Sequence, residues 1–112
     1  MERRRHERFT VVDLLIYEQE TKKPVGKVVN ISASGLLVIA TTRYEVGQRV
    51  NFVIPFRQAI QGIVNFEFKG EIKWLNASEG NPTNFSIGMA FAENPELQTM
   101  FIQQLVNIYG AT

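Results

Sequence analysis

The chain contains no cysteine, a single histidine and a single tryptophan among its 112 residues. Without thiols there is no disulfide, no thiolate metal ligand and no cysteine nucleophile, a composition that suits a reducing compartment. His6, with no cysteine and no carboxylate cluster beside it, does not make a metal site. It is also the sole histidine base that Ser32 or Ser34 would have, and no Gly-x-Ser-x-Gly elbow, phosphate loop or dinucleotide fingerprint occurs. Enzymatic activity and a bound cofactor are therefore not expected. No apolar run approaches the roughly 20 residues that cross a bilayer, and the charged N-terminus is not followed by the apolar stretch of a secretory signal. Membrane insertion is not expected, and a cytoplasmic location is. Net charge is only +1, so the body of the chain lacks the basic surface of a nucleic-acid binder.

What the sequence has is charge gathered at one end. Residues 1–8 hold Arg3, Arg4, Arg5 and Arg8 against Glu2 and Glu7, which leaves the rest of the chain slightly negative. This segment reads as a polar arm, and 112 residues with 45% hydrophobic content fit one folded domain behind it. Strand-like runs follow: Phe9 to Tyr17, Val25 to Ile31, Leu36 to Ala40, and Val46 to Ile54, the last with Gly47 at its start and Pro55 at its end. The clearest period lies in residues 63–75. Val64, Phe66, Phe68, Ile72 and Trp74 share one face with Gly70, and Asn65, Glu67, Lys69, Glu71 and Lys73 take the other. Gly70 marks a bulge or barrel corner. A loop over residues 76–82 leads to a last strand, Phe85 to Phe91, in which Gly88 stands where a side chain would crowd a neighbour. Helical signals come only at the end. Asn94 is placed to cap, Pro95 to take the first helical position and Glu96 to meet the positive end of the dipole; Leu97, Phe101, Leu105 and Ile108 recur at helical spacing, and Gly110 ends the run. The expected fold is all-β with a C-terminal helix: a six-stranded antiparallel barrel over residues 9–112, with the helix at about 94–109 packed on it.

Two short constellations carry chemistry. Arg4 and Arg8 stand in an Arg-x-x-x-Arg relation; guanidinium is planar, always charged and able to grip a phosphate or a guanine edge through two hydrogen bonds. Asn30-Ile31-Ser32-Ala33-Ser34-Gly35 lies at a strand end and offers an amide, hydroxyls and a glycine that permits positive φ and close approach of backbone to a ligand. Taken singly, the first reads as a solvated terminus and the second as an ordinary Asx or Ser turn.

Together, and in this order with one strand between them, they resemble the bacterial PilZ family, which pairs an Arg-x-x-x-Arg arm with an Asp/Asn-x-Ser-x-x-Gly turn on a six-stranded barrel with a C-terminal helix. The resemblance implies a receptor for the second messenger cyclic di-GMP. Arg4 and Arg8 would contact phosphates and guanine edges, Asn30 and Ser32 would bond a guanine, and Gly35 would keep the turn open. Residues 1–8 would order on binding and signal to a partner protein in trans. A basic residue at Arg3 goes, in that family, with an intercalated ligand dimer, hence two ligands per chain. Trp74 sits on the apolar face, where core packing is the ordinary expectation; the resemblance also makes it a candidate to stack on a guanine. Arg5 and His6 are read as solvent-facing. Two alternatives stay open: a PilZ-like adaptor that binds protein and ignores nucleotide, and a nucleic-acid binder using Phe66, Phe68 and Trp74 as stacking platforms. The last is disfavoured because those rings share the face a core needs.

Overall fold

A computed structural model describes residues 7–78, 80–93 and 96–110. Six strands, β1 (Phe9–Glu18), β2 (Pro24–Ile31), β3 (Gly35–Ala40), β4 (Arg49–Ile60), β5 (Ile63–Ser78) and β6 (Asn81–Ala92), precede one helix, α1 (Thr99–Tyr109). All neighbouring strands are antiparallel, and the order β1-β2-β3-β6-β5-β4 closes into a barrel. Alternation drives this. Leu14 and Ile16 of β1, Phe52 and Ile54 of β4, Phe68 and Ile72 of β5, and Ile87 and Met89 of β6 point inward and are buried, while Leu15, Val53, Lys69 and Glu71 between them face out.

The closure is uneven. β1 and β4 pair only at Tyr17↔Val53 and Glu18↔Phe52. Beyond that point α1 packs against both strands and completes the wall. It buries Phe101, Ile102, Leu105 and Tyr109, with Phe101 and Tyr109 joining Phe56, Phe66, Phe68 and Phe91 in one aromatic cluster at centroid distances of 5.2–6.5 Å. Phe66 and Phe68 are thereby committed to the interior. Three polar contacts fix the helix end. The Arg57 N–H donates to the Tyr109 hydroxyl at 2.6 Å, the Arg57 guanidinium donates to the Ile108 carbonyl at 2.9 Å, and Val11 forms a bridge with Gly110. Tyr109→Phe keeps the ring but strands the Arg57 N–H, and is expected to lower stability by about 1–2 kcal/mol, read from denaturant unfolding.

The structure revises several boundaries. β4 does not stop at Pro55 but runs to Ile60. Pro55, which has no N–H to give, pairs with Asn65 and lies past the end of the β1 pairing, where no neighbour calls on it. Within the expected loop, Asn76 to Ser78 continue β5 and Asn81 and Pro82 begin β6, paired as far as Ser78↔Asn81. Gly70 is not a bulge. It sits in unbroken register, and a Cβ there would lie 2.9 Å from Met89 Sδ and 3.0 Å from the Phe52 ring, so its role is to make room in the core. Val64 is exposed rather than on the buried face. The helix begins at Thr99, with Gln98 at its N-cap and no acidic residue in its first turn. Leu97 N–H instead donates to the Ala33 carbonyl at 2.9 Å, which holds the preceding chain against the β2–β3 turn, so Glu96 falls short of the helix. Asn94 and Pro95 lie outside the described residues. Gly110 does end the helix, with φ −66° rather than in the left-handed region; a Cβ there would lie 2.5 Å from the Val106 carbonyl.

Candidate ligand-binding site

Two bulges and one tight turn build a groove on the outer wall of the barrel. The first bulge is in β2, where Val28 pairs with Val38 but Asn30 pairs with Leu37. The extra residue, Val29, resets the alternation and turns Asn30 outward. The chain then turns at Ser32. Ser32 N–H donates to the Gly35 carbonyl at 2.9 Å, Ser34 N–H donates to Ser32 Oγ at 3.3 Å, and the Ser32 hydroxyl lies 3.4 Å from the Gly35 carbonyl. Ser32 is only 3% exposed, the one buried polar side chain among the described residues. Its hydroxyl holds the turn from within.

Gly35 is required for a reason other than positive φ. Its φ is ordinary, and what it approaches closely is β6: a Cβ would lie 2.2 Å from the Met89 carbonyl oxygen and 3.1 Å from Ala90 Cα. The glycine lets β3 and β6 draw together at the mouth of the turn.

The second bulge is in β5. Ile72 pairs with Met89 and Trp74 with Gly88, which leaves Lys73 as the extra residue. Past it the phase inverts: Leu75, opposite Ile87, packs on the core, and Trp74 faces out at 41% exposure. The core placement that strict alternation gives Trp74 is thus overturned. Its indole lies over Gly88, where a Cβ would come within 2.2 Å of Trp74 Nε1. Gly88 is the floor on which the ring rests.

These elements enclose a groove of about 360 Å³. Its polar lining is Arg8, Asn30, Ser32, Ser34 and Lys73; its apolar lining includes Trp74, Leu37, Gly88 and Met89. Arg8 reaches across the β1–β2 pair to donate from Nη1 to Asn30 Oδ1 at 3.1 Å. Arg8, Asn30, Ser32, Gly35 and Trp74, far apart in sequence, therefore meet at one place. Arg3 and Arg4, with Arg5 and His6, lie outside the described residues. Lys73, Leu37 and Met89 were not among the residues singled out from the sequence. Alternation alone makes Lys73 a solvent-facing strand residue opposite in phase to Trp74, and only the bulge, a property of pairing with β6, puts the two on the same side.

Among the described residues no carboxylate lines this groove. Two cations, an amide, hydroxyls and an exposed indole suit an anion that carries a flat aromatic group. Among the described residues no three or more His, Cys, Asp or Glu side chains gather as a metal site, and no described helix is long and apolar enough to cross a membrane.

A model of the PilZ domain family matches residues 2–109. In fold the chain is similar to the inhibitor of motility MotI/DgrA of Bacillus subtilis, with a TM-score of 0.65 at 17% identity over 96% of this chain and 50% of that one. It is also similar to YcgR of Escherichia coli, solved in complex with c-di-GMP, with a TM-score of 0.63 at 14% identity over 96% of this chain and 45% of that one. The chain thus spans about half the length of these two structures. No curated protein matches the sequence. From the family match along nearly its whole length, and from the six-stranded barrel with its terminal helix, the chain belongs to the PilZ domain family.

Proposed function

We propose that this chain is a receptor for cyclic di-GMP, bound in the groove between the Asn30–Gly35 turn and Trp74. The observation that carries this reading is the convergence of Arg8, Asn30, Ser32, Gly35 and Trp74 on one groove free of carboxylates among its described lining. Arg8 supplies a guanidinium for a phosphate or a guanine edge, Asn30 the paired donor and acceptor, and Trp74 a stacking face. The YcgR structure holds the same ligand on a similar fold.

In this reading Arg3 and Arg4 close over the ligand from the N-terminal arm. Four residues of extended chain reach about 14 Å, so Arg4 stays within range of a ligand seated at Arg8. Fixing the arm costs on the order of 1 kcal/mol per residue, which several charge-assisted bonds offset. The ordered arm presents a changed surface to a protein partner. Arg3 serves a second, intercalated ligand, giving two per chain.

Calorimetry with cyclic di-GMP, against GTP as control, tests the proposal. Saturable binding near two ligands per chain supports it in full. A ratio near one keeps the receptor and removes the role of Arg3. No heat at several temperatures overturns it. Trp74 is the only tryptophan, so its emission reports the site directly. Quenching on titration is expected, and Trp74→Ala is expected to weaken affinity about tenfold, in the range of one lost stacking contact.

A further inference from the structure

The groove contains a cation that neither sequence motif includes. Lys73 is the extra residue of the β5 bulge, and the two residues of such a bulge face one residue of the partner strand, here Gly88. Lys73 and Trp74 are accordingly both exposed on the outer wall, and both line the groove. Arg8 enters the same groove from the N-terminal end of β1, so two cations serve one site from separate elements.

Lys73 Nζ is held at 3.3 Å by Glu71 Oε2. The lysine side chain is 55% exposed, and an ion pair of that kind contributes little to stability. It is readily exchanged for another anion. Glu71 keeps a second partner if that happens: Arg49 Nε lies 3.4 Å from its other carboxylate oxygen, and Arg49 also approaches Glu93 at 3.6 Å. Releasing Lys73 therefore leaves Glu71 paired.

We infer that Lys73 is a ligand-binding residue of this groove, donating to a phosphate of the bound dinucleotide, and that Glu71 holds it in competition with the ligand. The inference rests on the receptor reading above and adds a residue and a competitor to it. A flexible four-carbon stem with three donors suits a phosphate, which asks for charge more than for planar geometry. Opposite signs follow for the two neighbours. Removing the ammonium weakens binding; removing the carboxylate that competes for it strengthens binding.

The test is calorimetry of Lys73→Met, Lys73→Arg and Glu71→Gln beside the unaltered chain with cyclic di-GMP, at low and at physiological salt, with thermal melts to verify folding. Lys73→Met is expected to lose about tenfold in affinity and to show a shallower salt dependence. Lys73→Arg is expected to retain most of the affinity, and Glu71→Gln to gain about threefold. Unaltered affinity in a folded Lys73→Met overturns this inference and leaves the receptor standing. So does a loss of equal size in Glu71→Gln, which would mark the pair as structural. Failure of the unaltered chain to bind cyclic di-GMP overturns both readings together.

Discussion

Arg8→Ala is expected to weaken cyclic di-GMP binding by about a hundredfold or more while leaving the barrel intact. Arg8 is exposed, stands ahead of the first strand, and among the described residues its guanidinium hydrogen-bonds Asn30. Truncating such a side chain changes stability by no more than about 0.5 kcal/mol. In the complex the same guanidinium would make paired charge-assisted bonds, each about twice as strong as a neutral one, and its loss would leave the bound anion unmatched. A hundredfold loss corresponds to about 2.7 kcal/mol. Arg8→Lys is expected to recover little, because an ammonium lacks the planar fork. Calorimetry paired with a thermal melt checks this; an unmoved melt together with unmoved affinity would remove Arg8 from the site.

Gly35→Ala is expected to damage the fold itself. Gly35 pairs with Ala90 across β3 and β6, and a Cβ would meet the Met89 carbonyl oxygen at 2.2 Å. That obstacle is backbone within a paired strand, so it cannot swing aside as a side chain could, and the two strands must part. The Ser32 turn would move with them, since Ser32 N–H and Oγ both reach the Gly35 carbonyl and the Phe91 N–H donates to the Ser34 carbonyl. The expected cost is about 3 kcal/mol, which lowers the melting temperature by roughly 15 °C in a domain of this size, with loss of ligand binding as well. A melt within a few degrees of the unaltered protein would show that β3 and β6 accommodate a methyl group.

The parts of this fold that depend on local alternation were legible from the residues. β1, β2, β3 and the long β5 announced themselves through runs of Val, Ile, Leu and Phe, and the helix through the spacing of Phe101, Leu105 and Ile108. The two motifs were visible in the residues as well, and the fold brings Arg8 within hydrogen-bond distance of Asn30. What escaped is set by partners distant in sequence. Strict period two carries Trp74 into the core, and nothing within β5 announces the bulge at Lys73. It follows from register with β6, where Gly88 alone leaves space for an indole to lie flat. The same holds for Gly35, whose demand comes from the Met89 backbone rather than from its own φ. Pro55 looked like a strand end because proline interrupts pairing, yet it lies where β4 has no β1 neighbour. The helix starts later than the cap signals near Glu96 imply because Leu97 is tied to Ala33, a contact across more than sixty residues.

Amide NMR during titration with cyclic di-GMP tests the central reading most directly, because it locates the ligand without altering a residue. If the groove is the receptor site, the signals of Asn30, Ser32 to Leu37, Lys73 to Leu75 and Gly88 move and saturate together, and the Trp74 indole N–H moves with them. Signals on the separate depression lined by Tyr17, Gln19, Lys22, Val53 and Asn65 stay in place. Shifts confined to that second surface, or a spectrum unchanged at millimolar ligand, would contradict the assignment of this groove to cyclic di-GMP.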